Sequence, residues 1–149
     1  MELADGPLKI VLIDDNRDHA KILQWAFRKT GRQDEFTYFE DGTRALEYLR
    51  NLGIQQAMKP DLIFLDLNLP RLDGREVLRL LKEGETTKSI PVVVVSSSER
   101  DEDVRKAYEL GASSYVSKSA MLSDIDPMLK TIQASWSKAT RQPKGPAQS

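Results

Sequence analysis

The run Pro91-Val92-Val93-Val94-Val95 constrains the fold more than any other segment of this 149-residue chain. Four consecutive β-branched residues favour a strand, because branched side chains fit a pleated surface. No polar residue alternates with them, so other parts of the protein must cover both faces of this strand. Such a pattern is typical of the centre of a parallel sheet that has helices on both sides.

Further apolar runs alternate with segments of helical periodicity. The other predicted strands are Lys9–Ile13, Phe36–Phe39, Leu62–Leu65 and Ser114–Ser117. The predicted helices span Asp18–Lys29, Asp41–Arg50 and Gly74–Lys82, then Ser98 to Gly111, and a last helix with Pro127 in its first turn and an apolar stripe of Ile125, Met128, Leu129, Ile132 and Trp136. Five strands alternating with five helices predict a doubly wound α/β domain with a parallel sheet.

Residues that favour helix ends mark several of these boundaries. Asp41 is expected to cap the second helix, and Ser98-Glu99-Arg100-Asp101 resembles a capping box with Asp in place of Glu or Gln. Gly111 is expected to end the fourth helix in a left-handed conformation. The polar segment between residues 52 and 59 is predicted to be a long connection.

Composition excludes several classes of protein. The net charge is −1, which provides no bulk attraction to nucleic acid or to an anionic membrane, and the chain has no cysteine for disulfides or thiolate metal sites. No signal peptide and no apolar stretch of about 18 residues is present. We therefore expect a soluble cytoplasmic protein with one domain at 8–138, an N-terminal extension at 1–7 and a disordered tail at 139–149.

Polar residues cluster where the predicted strands end. Asp14-Asp15, Asp66, Ser96 and Lys118 all follow apolar runs, and ligands of open α/β sheets bind outside the carboxyl ends of the strands. Each residue also has a structural interpretation: the aspartates could cap helices, the lysine could be solvated, and Ser96 could bond to backbone. The shared placement favours a functional site, where carboxylates and an ammonium could hold a divalent cation and a phosphoryl group.

The motifs that carry a family resemblance span residues 8–136. They are Ile13-Asp14-Asp15-Asn16, Phe64-Leu65-Asp66-Leu67-Asn68-Leu69-Pro70, Asp73-Gly74, Ile90–Ser97, Leu110-Gly111-Ala112 and Tyr115-Val116-Ser117-Lys118. In this order they resemble response-regulator receiver domains, which implies a flavodoxin-like sheet of order 2-1-3-4-5. Leu49–Gly53, Asp66–Arg71, Asp73–Leu78 and Trp136 narrow the likeness to single-domain regulators that partner cyanobacterial phytochromes.

The resemblance implies a phosphorylation site at Asp66. A carboxylate can attack the phosphorus of a phosphohistidine, and the receiver would then catalyse only its own phosphoryl uptake and loss. Mg²⁺ (or Mn²⁺) would be held by Asp15, Asp66 and the backbone carbonyl of Asn68, with Asp14 acting through water. Lys118 and Ser96 would contact phosphoryl oxygens.

The same resemblance implies a switch and a set of partners. Ser96 and Tyr115 would move together after phosphorylation, and the fourth helix, last strand and fifth helix would form a homodimer face that includes Tyr108 and Trp136. The phosphodonor would be a sensor histidine kinase, phytochrome-type, which docks on the first helix, including Trp25, and on the loop after Lys118; no DNA or membrane partner is expected. His19, the one histidine, is expected to be a surface residue.

Two other functions remain open from sequence. A haloacid-dehalogenase-type phosphatase also uses an aspartate after a strand, but it carries a second Asp where this chain has Asn68. A pseudo-receiver would be an interaction module without phosphorylation, which the intact acidic set and Lys118 disfavour. One departure from the receiver pattern is Ser119, which replaces the usual proline after the lysine and leaves the shape of that loop open.

Overall fold

The structure is a computed structural model, and it describes residues 7–54, 58–123, 126, 127 and 130. Strands and helices alternate strictly along these residues. The strands are β1 (Lys9–Ile13), β2 (Glu35–Phe39), β3 (Leu62–Leu65), β4 (Val92–Ser96) and β5 (Ser114–Ser117). The helices are α1 (Arg17–Lys29), α2 (Gly42–Ile54), α3 (Gly74–Glu83), α4 (Asp101–Glu109) and α5 (Lys118–Ser123).

All five strands are parallel and lie in the order β2-β1-β3-β4-β5. The predicted strand order is therefore confirmed. The chain order reverses between β1 and β3, which pair from Ile10 with Leu62 to Ile13 with Leu65. The residues that follow these two strands, Asp14 and Asp66, consequently leave the sheet side by side.

Helices cover both faces of the sheet and divide the core into two clusters. Side chains of α1 and α5 pack on one face, where Phe27 meets Phe64 edge to face at 5.9 Å between ring centroids. Helices α2, α3 and α4 pack on the other face, where Leu78 and Leu81 are fully buried. Every residue of β4 is buried, as predicted for the central run of valines.

The helix ends differ from prediction in three places. Helix α2 continues to Ile54, because its apolar side packs onto the sheet beyond the predicted end at Arg50. The predicted capping box is wrong: α4 begins at Asp101 after Arg100, and Ser98 Oγ instead donates to Asp103 Oδ2 at 2.5 Å. The helix that follows β5 begins at Lys118, before the predicted stripe, and the start of the helical segment that contains Pro127 lies outside the described residues.

Other helix-end predictions are confirmed. Asp41 Oδ1 accepts a hydrogen bond from the Arg44 N–H at 2.9 Å, and Gly111 has a φ of +108°. The predicted stripe residues Ile125, Met128, Leu129, Ile132 and Trp136 lie outside the described residues, as do the tail at 139–149 and positions 1–6 of the extension. No helix in the described part of the chain has the length and apolarity needed to cross a membrane.

A close backbone approach at Gly74 fixes the segment between β3 and α3. The Gly74 N–H donates to the Leu67 carbonyl at 3.0 Å, and a Cβ at this position would overlap the Asp66 carbonyl oxygen and Leu67 Cα. Because the obstructing atoms are backbone, no rotamer change can relieve the overlap. Glycine at 74 is therefore required for Asp66 to lie where it does.

We expect Gly74→Ala to lower the free energy of unfolding by about 1–3 kcal/mol, the usual cost of inserting a methyl group into packed structure. Urea denaturation measures the change. Gly53→Ala is the control, since the three atoms nearest to its new methyl group all belong to the side chain of the exposed Thr86 rather than to backbone, and alanine is the better helix former inside α2. Equal stability losses in the two variants would contradict the proposed role of Gly74.

Candidate functional site

Three carboxylates meet at the carboxyl edge of the sheet. Asp14 and Asp15 follow β1 and Asp66 follows β3, and one ligand oxygen from each lies within 4.8 Å of the others. Asp66 is 3% exposed, whereas Asp15 is exposed to solvent. The structure thus brings the predicted acidic set together, with one member buried and one open.

Local backbone contacts fix the acidic pair before α1. Asn16 caps this helix by accepting hydrogen bonds from the N–H groups of Asp18 and His19 at 3.0 and 3.1 Å. Asp14 Oδ1 accepts from the Asn16 N–H at 2.8 Å. Because Asn16 is the cap, the carboxylates of Asp14 and Asp15 remain available to the site, and the helix-cap interpretation of this pair is wrong.

Lys118 reaches into the acidic cluster from the start of α5. Its Nζ lies 2.8 Å from Asp66 Oδ2 and 3.1 Å from Asp14 Oδ2, and the residue is only 8% exposed. Burial alone would lower the pKa of Lys118, but its bonds to Asp66 and Asp14 raise it above the ordinary value. The ammonium therefore stays charged and offsets part of the repulsion between the two carboxylates.

Asp66 is the most strongly enclosed carboxylate of the cluster. Burial raises its pKa, as does the charge of Asp14, while hydrogen bonds from Lys118 and from the Asn68 N–H at 2.9 Å act in the opposite direction. The net direction is upward, because desolvation disfavours the charged form more than these bonds favour it. A cation near Asp66 would relieve that cost.

Ser96 ends β4 and Tyr115 lies in the neighbouring strand β5, and the two residues are joined through the loop that follows β4. Ser96 is 1% exposed, and its Oγ accepts from the Ser98 N–H at 3.2 Å. The Tyr115 hydroxyl donates to the carbonyl of the same Ser98 at 2.8 Å, and the Tyr115 N–H donates to the Tyr108 hydroxyl at 3.1 Å. Ser98 therefore links the two predicted switch residues.

Ser119, the departure from the receiver pattern, connects a helix to a loop. Its hydroxyl donates to Glu99 Oε2 at 2.6 Å, which joins the start of α5 to the loop between β4 and α4. Asn68 makes a third link to this loop, because its Nδ2 donates to Ser97 Oγ at 3.2 Å. Side-chain bonds thus connect the loop after β4 both to α5 and to the segment after β3.

Two residues near the site have surroundings that the sequence did not predict. His19 is partly buried rather than a surface residue, and its Nδ1 is enclosed without a partner in the described part of the chain. It lines a cavity of about 20 Å³ together with Asp14 and Asp66. Tyr38, at the end of β2, donates its hydroxyl to the Asp14 carbonyl at 2.7 Å, a contact that no sequence motif signals.

Removing the ammonium should change how Asp66 titrates. We expect the Asp66 carboxyl of Lys118→Met to titrate at a higher pH than that of the wild type, because burial and the Asp14 charge are then opposed by the Asn68 N–H bond alone. ¹³C NMR of the carboxyl groups measures this. Lys82→Met is the control, since Lys82 is also half-buried but bonds to the carbonyls of Lys88 and Ile90; an unchanged Asp66 titration in Lys118→Met would contradict the assigned pairing.

Comparisons with known proteins agree with this geometry. A family model described as the response regulator receiver domain matches residues 10–130. The chain is 37% identical over 144 residues to the probable methanogenesis regulatory protein FilR2 of Methanothrix harundinacea, covering 97% of this chain and 92% of that protein. It is 35% identical over 134 residues to the response regulator Rcp1 of Synechocystis, covering 89% of this chain and 91% of Rcp1.

Solved structures lead to the same family. The Mn²⁺-bound form of Rcp1 superposes with a TM-score of 0.71 at 34% identity, covering 88% of this chain and 93% of that one. The phosphorylated cyanobacterial phytochrome response regulator RcpA superposes with a TM-score of 0.76 at 41% identity, covering 88% and 94%. The chain therefore belongs to the response regulator receiver family and is homologous to phytochrome response regulators.

Proposed function

We propose that this protein accepts a phosphoryl group on Asp66 from the phosphohistidine of a sensor histidine kinase. The observation that supports it most directly is the buried Asp66 carboxylate, which lies 2.8 Å from Lys118 Nζ and beside two further carboxylates. In the transfer, an Asp66 oxygen forms a bond to phosphorus while the bond from phosphorus to the kinase's imidazole nitrogen breaks. The charge that develops on the phosphoryl oxygens needs nearby cations and N–H donors.

The donor set fits a hard divalent cation, Mg²⁺ or Mn²⁺. Mg²⁺ prefers oxygen ligands and keeps several waters, and the three carboxylates supply oxygen atoms alone. Asp15, Asp66 and the Asn68 backbone carbonyl would hold the ion, with Asp14 acting through water. The bound ion would neutralise charge on the carboxylates and on the phosphoryl oxygens, and the Mn²⁺-bound form of Rcp1 supports such a site in a relative.

Lys118 and Ser96 would bind the phosphoryl group once it is on Asp66. Lys118 Nζ contacts both Asp14 and Asp66, so a small movement would carry it from a carboxylate to a phosphoryl oxygen. Ser96 Oγ accepts one hydrogen bond, from the Ser98 N–H, which leaves its own proton free to donate to another oxygen. Both residues can therefore donate a hydrogen bond to a phosphoryl oxygen, as the transfer requires.

Phosphorylation would be read out through Ser98. If Ser96 turns toward a phosphoryl oxygen, its bond with the Ser98 N–H is lost, and the Ser98 carbonyl that holds Tyr115 is then free to move. Ligands shift such equilibria only by their differential contacts with the two states, and this bond is one that differs. The face of α4, β5 and α5, which exposes Tyr108, would then mediate a homodimer; Trp136 lies outside the described residues.

The kinase, phytochrome-type by homology, would dock on α1. Trp25 is 58% exposed there, and Lys29 Nζ lies 4.7 Å from the centre of its ring. A rigid exposed aromatic side chain that carries a cation is typical of the anchor residues of protein interfaces. Since Asp15 lies just before the same helix, a partner on α1 would also reach the acidic cluster.

The nucleophile can be tested directly. We expect Asp66→Asn to lose labelling both by a phosphorylated kinase and by acetyl phosphate with Mg²⁺, because the amide keeps the shape but not the attacking oxygen. Phosphopeptide mass spectrometry measures the site, and Asp18→Asn, at an exposed carboxylate in the first turn of α1, is the control. Wild-type labelling of Asp66→Asn would show a different acceptor, and no labelling of the wild type would favour the pseudo-receiver.

Docking can be tested separately from chemistry. We expect Trp25→Ala to slow transfer from the kinase by about ten-fold or more, the usual effect of truncating an interface anchor, and to leave labelling by acetyl phosphate unchanged. Rapid-quench kinetics with phosphorylated kinase measures the rate. Ile54→Ala is the matched control, since Ile54 is 79% exposed on α2 across the sheet; equal rates for both variants would remove Trp25 from the interface.

A further inference from the structure

The Asp14 carbonyl lies just past the end of the ladder between β1 and β2. Pairing of these strands ends with Ile13 opposite Phe39, and the last backbone bond runs from the Asp14 N–H to the Phe39 carbonyl at 3.1 Å. Beyond this point the chain turns into α2, so β2 offers no N–H for the next position. The Tyr38 hydroxyl takes that place by donating to the Asp14 carbonyl at 2.7 Å.

The Tyr38 side chain is itself held in place. It is half-buried, and the Arg17 guanidinium lies 5.9 Å from the centre of its ring. Arg17 in turn pairs with Glu40 at 2.5 Å between Nε and Oε2. Movement of the ring away from the Asp14 carbonyl would therefore also break its contact with Arg17.

The Asp15 side chain is not held by contacts of this kind in the described part of the chain. Its carboxylate is exposed, and within the described residues it makes no hydrogen bond and no ion pair. The direction of this side chain consequently depends on the peptide that joins Asp14 to Asp15. The carbonyl of that same peptide is the group to which Tyr38 bonds.

We propose that Tyr38 is a positioning residue for the metal site, because its hydroxyl fixes the Asp14–Asp15 peptide and so directs the Asp15 carboxylate toward Asp66. The inference rests on the proposed binding of a divalent cation by Asp15 and Asp66. Tyr38 touches neither the cation nor the phosphoryl group. Its effect lies in the metal-free protein, where it orders a ligand before the cation arrives.

Tyr38→Phe removes the hydroxyl and keeps the ring, so it tests this bond alone. We expect its affinity for Mg²⁺, measured by calorimetry, to fall by about two- to twelve-fold, which corresponds to one hydrogen bond. Labelling by acetyl phosphate should be slower at limiting Mg²⁺ and return to the wild-type rate at saturating Mg²⁺. In the metal-free protein, the amides of Asp15 and Asn16 should exchange with solvent faster.

Tyr48→Phe is the matched control. Tyr48 is also half-buried and packs against Phe39 at 5.2 Å between ring centres, but its hydroxyl bonds to no other described residue. This variant should bind Mg²⁺ as the wild type does. An equal loss of affinity in both variants would overturn the proposal, since the effect would then follow from any missing tyrosine hydroxyl.

Asp15→Ala separates failure of the inference from failure of the metal site. If Asp15→Ala loses Mg²⁺ binding while Tyr38→Phe binds as the wild type does, the metal site stands and the role of Tyr38 is overturned. If Asp15→Ala binds Mg²⁺ as the wild type does, Asp15 is no ligand, and both proposals fail. If labelling of Tyr38→Phe by acetyl phosphate stays slow at saturating Mg²⁺, the positioning role is also overturned.

Discussion

The parallel pairing of β1 with β3 is the constraint on which the rest of the structure depends. Because Ile13 lies opposite Leu65, the next residues of the two strands, Asp14 and Asp66, must emerge together at one edge. The Asp66 N–H donates to the Ile13 carbonyl at 2.9 Å, which locks this register at the site itself. A slip of one strand by one residue would turn its buried side chains to the opposite faces and separate the two aspartates.

This pairing brings together like charges that would not stay close in water. Asp66 is buried, its pKa is raised by burial and by the charge of Asp14, and Lys118 compensates only in part. The apolar core on both faces of the sheet supplies the stability that keeps this arrangement folded. The site is therefore a place where the fold tolerates electrostatic cost, and such sites are commonly functional.

Much of this arrangement could be predicted from sequence, and the reason is periodicity. The unbroken run of valines indicates a central parallel strand, and the strand ends of a parallel sheet share one edge, so the sequence alone groups Asp14, Asp15, Asp66, Ser96 and Lys118. The helix start after Ser98 was wrong because a capping pattern is a local signal. The Ser98 hydroxyl bonds instead to Asp103, five residues away.

Contacts between distant segments could not be predicted in the same way. Tyr38 reads as an apolar strand residue, and nothing nearby in sequence shows that its hydroxyl will meet the Asp14 carbonyl 24 positions earlier. The bond between Ser119 and Glu99 has the same character, since Ser119 lies in α5 and Glu99 in the loop between β4 and α4. Such bonds depend on where the sheet ladder ends and which backbone groups it leaves unpaired.

The loop after β4 is held in place by several such hydrogen bonds between distant segments. It is held by Asn68 from the segment after β3, by Tyr115 from β5 and by Ser119 from α5. Asn68 follows Asp66 closely in the chain, and Tyr115 and Ser119 flank Lys118. The loop is therefore bonded at three points to the segments that carry Asp66 and Lys118, and its conformation is coupled to theirs.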